Sequence, residues 1–203
     1  RAACRPRSWR GTRLPRFSGA ILISDFLEPM TTLGPRLEHI ASAGVNGHLV
    51  QVMDPAEETL PYEGRAEFLG LERADETWIV DRVESLRDAY MKNYERVSAQ
   101  KQSLYSTLFP KAMAMELAFS RAGADKTYVQ HMIAQQKDRV WQLIEQGAVI
   151  FVCGDGGKME PDVKATLMSI YRDKTGSDAD AAAGWMEEMG TKNRYVLDVW
   201  AGG

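Results

Sequence analysis

The chain has few cysteines and no long hydrophobic run, and these two absences limit its class. Its two cysteines, Cys4 and Cys153, lie far apart, so they form neither a disulfide framework nor a paired metal site. No apolar run approaches the roughly 18 residues that a membrane span requires. The N-terminal residues contain no apolar core of a signal peptide. We therefore expect a cytoplasmic protein without membrane partners.

The common signatures of nucleotide and metal sites are also missing. The sequence contains no G-x-G-x-x-G, no phosphate loop ending in Lys-Ser/Thr and no H-E-x-x-H. Its three histidines are scattered, and a lone histidine is usually structural. The net charge of −3 argues against broad nucleic-acid binding. Six arginines fall within residues 1–16, a pattern that favours a disordered basic tail over a polyanion-binding arm.

The most informative stretch is Gly147 to Gly156, which carries a short apolar run between glycines. Its β-branched and aromatic side chains predict a strand buried on both faces, as in a parallel sheet. A helix is predicted to follow from Pro161. Open α/β sheets bind ligands at the carboxyl ends of their strands, so we expect Cys153 and Asp155 to lie at a functional edge.

The remaining periodicity predicts a three-layer α/β protein with a mostly parallel sheet and flanking helices. The first strand, helix and second strand form a β-α-β unit. A long helix is predicted from its apolar stripe at Ile79, Val83, Leu86, Tyr90, Tyr94 and Val97. In addition to the strand within 147–156, strands are predicted at 19–26, 48–53, 65–71, 113–119 and 195–200. Helices are predicted at 35–43, 75–103, 127–146 and 161–174. A last helix is predicted from a capping box formed by Ser177 and Asp180 to Met189.

Loss of helical periodicity after Ser98 suggests a boundary between two segments. We predict a basic tail at 1–16, a first α/β segment at 17–97, a linker at 98–113 and a second segment at 114–203. Each segment supplies parallel strands and covering helices, so each could complete the other's sheet.

A cluster of cations and hydroxyls follows the strand that ends at Phe119. Ser120 and Arg121 come directly after it, and Lys126, Tyr128 and Gln130 open the next helix. Charge-assisted hydrogen bonds from such groups favour a phosphate dianion. Taken alone, the cluster is also compatible with a solvated basic turn.

Four motifs in one order give this cluster a more specific meaning. They are Phe119-Ser120-Arg121, Lys126-x-Tyr128-Val129-Gln130, Cys153-Gly154-Asp155-Gly156-x-x-Met159 and Asp198-Val199-Trp200-Ala201-Gly202. Over residues 116–202 the chain resembles the C-terminal NADPH-binding portion of diflavin reductases, especially the reductase end of haem monooxygenase–reductase fusions. The fold implied for this segment is the NADP-binding half of a ferredoxin-reductase-like protein.

The resemblance implies a role for each matching residue. Ser120, Arg121, Lys126, Tyr128 and Gln130 would hold the 2′-phosphate of NADPH. Cys153 and Asp198 would flank the nicotinamide during hydride transfer to FAD, and Trp200 would cover the flavin ring. Gly154, Asp155 and Met159 complete the expected cofactor-binding set. Cys153 as a small buried hydrophobe and Trp200 as a packing residue remain open alternatives.

Several parts of that family's site are absent from the sequence. The FAD-binding barrel with its Arg-x-Tyr-Ser motif, the Gly-Pro-Gly-Thr-Gly loop after the first strand and the strand ending in Gly-Cys-Arg are all missing. We therefore expect no bound flavin unless another chain or a missing domain supplies FAD.

The first segment resembles a different family. Residues 17–97 are similar to the C-terminal end of a bacterial family of unknown function (domain of unknown function fifty-eight), which has a von Willebrand factor A-like fold. Asp25 matches a position that joins a metal site in A-domains, but the partner Asp-x-Ser-x-Ser motif is absent. Because a metal needs several oxygen ligands together, we predict no metal site and interpret Asp25 as a strand-end cap.

These observations lead to one functional expectation and two alternatives. The chain is expected to be the NADPH-binding portion of a flavin-dependent oxidoreductase in electron transfer, incomplete alone, with a flavin- or haem-bearing partner. The alternatives are a non-catalytic binding or scaffold protein, and an inactive chimaeric or truncated product.

Overall fold

Strands and helices alternate along most of the chain. The computed structural model describes residues 14, 16, 18–26, 29–69, 77–109, 113–119 and 128–200. The strands are β1 (Gly19–Ser24), β2 (Asn46–Met53), β3 (Ala66–Leu69), β4 (Thr77–Val80), β5 (Met113–Phe119), β6 (Val149–Asp155) and β7 (Tyr195–Trp200). The helices are α1 (Met30–Ser42), α2 (Pro55–Thr59), α3 (Arg87–Leu108), α4 (Val129–Gln135), α5 (Lys137–Glu145), α6 (Met159–Thr175) and α7 (Ala179–Thr191).

Five of the strands form one sheet in the order β5-β2-β1-β6-β7, and all neighbouring pairs are parallel. The predicted α/β fold with a mostly parallel sheet is therefore confirmed. The two sequence segments share this sheet, because β1 and β2 of the first segment lie between β5 and β6 of the second. Strands β3 and β4 form a separate antiparallel hairpin.

Each face of the sheet has its own apolar core. On one face, Ile21 and Ile150 pack with side chains of α4, α5, α6 and α7. On the other, Leu22 and Phe151 pack with side chains of α1 and the C-terminal part of α3. Alternate residues of β1 and β6 thus point to opposite helical layers, as two-sided burial of parallel strands requires.

The predicted helix over 75–103 is wrong at both ends. Residues 77–80 form β4, which pairs with β3, and α3 begins at Arg87. Trp78, Ile79 and Val80 are good strand formers, and the helical stripe drawn through Ile79 and Leu86 was coincidental. Both of these side chains are about half exposed, at 55% and 48%, so neither belongs to a helical core face. Residues 98–108, assigned to a linker, lie within α3.

Two details of the second segment also differ from expectation. The single helix predicted over 127–146 is divided into α4 and α5 at Gln136. The N-cap of α7 is Asp178, whose carboxylate accepts from the Ala181 amide at 2.9 Å, so the predicted Ser177/Asp180 capping box is wrong. Ser177 instead interacts with the Thr175 hydroxyl at 2.8 Å.

Some predictions concern residues outside the described ranges. These are Cys4 and residues 1–13 of the basic tail, and Ser120, Arg121 and Lys126 of the predicted phosphate cluster. In the part of the chain that is described, no helix is both long enough and apolar enough to cross a membrane.

Candidate functional site

The strand order reverses between β1 and β6. From β1 the chain proceeds outward through β2 to β5, and it then returns to β6 and proceeds to β7 on the other side. Such a reversal leaves a crevice at the carboxyl ends of the two central strands, where open α/β sheets bind ligands. The carboxyl end of β6 is the edge that the sequence identified through Cys153 and Asp155.

The β6–β7 pairing brings predicted nicotinamide-site residues to neighbouring positions. The register aligns Cys153 with Asp198 and Asp155 with Trp200. The side chains of Cys153 and Asp198 are both half-buried. Gly154 lies between the paired positions with φ +146°, a conformation that favours glycine. The arrangement places a thiol and a carboxylate side by side at the carboxyl end of the sheet.

Asp155 shapes the turn that leaves β6. Its Oδ1 accepts a hydrogen bond from the Gly157 amide at 2.6 Å, which closes an Asx turn before α6 begins. Met159, the first residue of α6, is half-buried and packs against the core between the sheet and α4–α7. These two predicted cofactor-binding residues therefore both hold the β6–α6 connection in place.

The first turn of α6 carries two acids, and each accepts a hydrogen bond from another element. Glu160 Oε1 accepts from the Tyr195 hydroxyl at 3.1 Å, and Asp162 Oδ2 accepts from Gln130 Nε2 at 3.1 Å. Burial, together with Glu160, raises the pKa of Tyr195 well above its usual range, so the phenol remains a donor. Glu160, Asp162 and Tyr195 carry no signal in the sequence, because only the fold brings their partners close.

Two of the five predicted phosphate ligands are described. Tyr128 is half-buried at the N-cap of α4, where its amide donates to His131 Nδ1 at 3.3 Å. The two rings meet edge to face with centroids 5.6 Å apart. Gln130 follows on α4 and is engaged with Asp162 of α6. Of the predicted phosphate cluster, Tyr128 therefore lies at the N-cap of α4, and Gln130 lies on α4 where that helix contacts α6.

The β1 side of the crevice has a different construction. The chain leaves β1 through Asp25 and Phe26, and the Gln51 amide of β2 donates to the Asp25 carbonyl at 3.1 Å. Phe26 has φ +51° and is 2% exposed, and its ring meets Tyr105 of α3 edge to face at 6.0 Å. No glycine occurs between Ala20 and Leu33. This connection therefore lacks the glycines that let a backbone approach a pyrophosphate closely.

A metal site requires several ligating side chains close together. Within the residues that the structure describes, no group of three or more His, Cys, Asp or Glu side chains could hold a metal ion. Asp25 sits at the end of β1, where its Oδ1 accepts from the Ser24 hydroxyl at 3.4 Å. The described part of this edge carries a thiol, carboxylates and backbone groups.

Comparisons with known proteins find two kinds of partial similarity. The profile of the family described as "Protein of unknown function DUF58" matches residues 9–100. The chain is 41% identical over 91 residues to "Bifunctional cytochrome P450/NADPH--P450 reductase 1" of Bacillus subtilis, which covers 44% of this chain and 9% of that protein. It is 40% identical over 87 residues to the human "NADPH--cytochrome P450 reductase", covering 43% and 13%. For the Oryctolagus cuniculus reductase of that name, identity is 37% over 113 residues, covering 55% and 16%.

These similarities are partial on both sides. The family profile covers less than half of the chain, and the chain spans between 9 and 16% of the length of these three reductases. The predicted resemblance to diflavin reductases is thus supported for a segment of about 90 residues. The chain is therefore similar to a piece of a reductase joined to a piece of an uncharacterised family.

Proposed function

We propose that this chain is a nucleotide-binding α/β segment of flavin-dependent oxidoreductase type, which binds NADPH and presents its nicotinamide to FAD held by another chain or domain. The observation that carries the proposal is the β6–β7 register. It aligns Cys153 with Asp198 and Asp155 with Trp200 at the carboxyl edge of the sheet, beside the point where the strand order reverses. The partial identity to NADPH-dependent reductases supports the choice of cofactor.

Each proposed residue has a physical role. Arg121 forms a forked hydrogen-bonded pair with the 2′-phosphate, and Lys126 adds a compact positive charge. Ser120, Tyr128 and Gln130 supply further donors. Asp198 stabilises the positive charge that develops on the nicotinamide as hydride leaves, and Cys153 packs beside the ring. Trp200 stacks on the flavin that the partner supplies.

In this proposal the two sequence segments have unequal tasks. The second segment, residues 114–203, carries the recognition chemistry, and the first, residues 17–97, supplies β1 and β2 to the middle of the sheet. The von Willebrand A-like fold of the family that it resembles remains a prediction for that segment.

One observation favours a second function, that of a non-catalytic scaffold. The β1–α1 connection carries an acid, Asp25, and fills its interior with Phe26, where a pyrophosphate would need glycine amides. This second function requires a chain that is stably folded and binds no dinucleotide.

Titration with NADP⁺ and NAD⁺, followed by tryptophan fluorescence and calorimetry, tests the proposal. NADP⁺ should bind more tightly, because hydrogen bonds to a charged group contribute about 1.5–3 kcal/mol each. Arg121→Ala should weaken NADP⁺ binding roughly ten- to a hundredfold and leave NAD⁺ binding nearly unchanged.

Arg139→Ala is the matched control for this substitution. Arg139 lies on α5, where its guanidinium donates to the Gln142 side chain at 2.9 Å, and its loss removes the same charge away from the proposed site. Equal losses of affinity for both nucleotides in Arg121→Ala would assign Arg121 a structural role. Absence of binding by the folded wild-type chain would leave the scaffold function.

A further inference from the structure

The predicted phosphate ligand Gln130 already holds an anionic partner within the protein. Its Nε2 donates to Asp162 Oδ2 at 3.1 Å, across the contact between α4 and α6. A carboxylate oxygen, like a phosphate oxygen, is an anionic acceptor to which an amide N–H can donate. Both side chains are accessible to solvent, so the pair can exchange its partner without opening the core.

We propose that Asp162 is a specificity-determining residue that competes with the 2′-phosphate of the nucleotide for Gln130. This inference rests on the proposed function, because it assigns Asp162 a role in the 2′-phosphate site. In the unliganded chain the carboxylate occupies the amide, and in the complex the dianionic phosphate must displace or repel it. Asp162 thereby lowers the affinity for NADP⁺. It also reduces the ratio of NADP⁺ affinity to NAD⁺ affinity, because NAD⁺ carries no 2′-phosphate.

Asp162 lies at a position where a negative charge is stabilised. It lies in the first turn of α6, where acids interact favourably with the helix dipole. Glu160 occupies the same turn but is engaged on another side by the Tyr195 hydroxyl at 3.1 Å. The two acids thus share the helix terminus and differ in their partners, since only Asp162 contacts Gln130 among the described hydrogen bonds.

This difference provides a matched pair of variants. Asp162→Asn removes one charge and keeps an oxygen that can accept from Gln130, whereas Asp162→Ala removes both. Glu160→Gln removes one charge from the same turn without touching Gln130. We expect both Asp162 variants to bind NADP⁺ about two- to fivefold more tightly, the range of an exposed charge interaction. NAD⁺ affinity and the affinity of Glu160→Gln for both nucleotides should remain close to wild type.

Calorimetric titration of the four proteins with NADP⁺ and NAD⁺, at low and high salt, decides between the roles. Weaker NADP⁺ binding by Asp162→Ala would overturn the inference, because it would mean that Asp162 positions Gln130 for the phosphate. An equal gain in Glu160→Gln would overturn it too, by assigning the effect to the general field of the helix terminus. If wild type binds NADP⁺ and the Asp162 variants do not differ, only this inference fails. If no variant binds nucleotide, the proposed function fails with it.

Discussion

β1 and β6, between which the strand order reverses, are alike within the sheet and differ at their carboxyl ends. β1 and β6 are parallel neighbours whose alternate side chains enter the same two cores. β6 ends with Gly154 and Asp155, and Asp155 forms an Asx turn, whereas β1 is followed by Asp25 and the buried Phe26. A buried strand of a parallel sheet can form from any matching apolar run. A phosphate-binding loop, in contrast, requires glycines at fixed positions. The five described strands therefore form one continuous sheet, although only the β6 side of the crevice has a glycine and an Asx turn at the strand end.

The largest expected effect concerns the β1 side of this comparison. Phe26→Ala should lower the free energy of unfolding in urea by about 3–5 kcal/mol, because it empties a fully buried aromatic site beside Tyr105. Trp78→Ala on the β3–β4 hairpin is the control. Its side chain is 73% exposed, and its loss should change stability by less than about 0.5 kcal/mol. Similar small effects in both variants would show that the β1–α1 connection is not part of the core.

A smaller effect should appear where the first segment meets the second. A Cβ at Gly19 would lie 2.7 Å from Ala148 Cβ and 3.3 Å from the Leu143 carbonyl oxygen. Neither atom is the end of a flexible side chain, so Gly19→Ala should cost about 1–3 kcal/mol in urea unfolding.

Gly184→Ala in α7 is the matched glycine substitution. A Cβ there meets no heavy atom within 4 Å, and the change should stabilise the protein by up to about 1 kcal/mol. A neutral Gly19→Ala would contradict the close approach of β1 to the residues that precede β6.

The smallest effect is expected in the turn on the β6 side. Asp155→Ala removes the acceptor for the Gly157 amide, and the loss should be about 0.5–1.5 kcal/mol, the usual contribution of one hydrogen bond. Asp155→Asn retains an oxygen acceptor and should lose less. Urea unfolding of the two variants measures the difference, and an equal loss in both would mean that the carboxylate charge, not the hydrogen bond, stabilises the turn.

The sequence by itself determined the architecture because buried parallel strands and covering helices have strong apolar periods. β1, β2, β5, β6 and β7 were all predicted from such runs, and Cys153 and Asp155 lie at the carboxyl end of β6, as their position after the apolar run predicted. Local pattern failed where it was ambiguous, as in residues 77–86, whose spacing fits a helix although Ile79 belongs to a strand. The local sequence alone could not decide between a helix and a strand for residues 77–80, because they form a strand by pairing with β3.

Only the tertiary structure decided how the two segments combine and which polar groups meet. The order β5-β2-β1-β6-β7 depends on strands that are distant in sequence, and no local signal encodes it. The same holds for the alignment of Cys153 with Asp198 and for the contact of Gln130 with Asp162, 32 residues apart. Strand register and helix packing create these juxtapositions, because burial of the apolar faces sets the register and thereby the positions of the polar side chains at the ends of the elements.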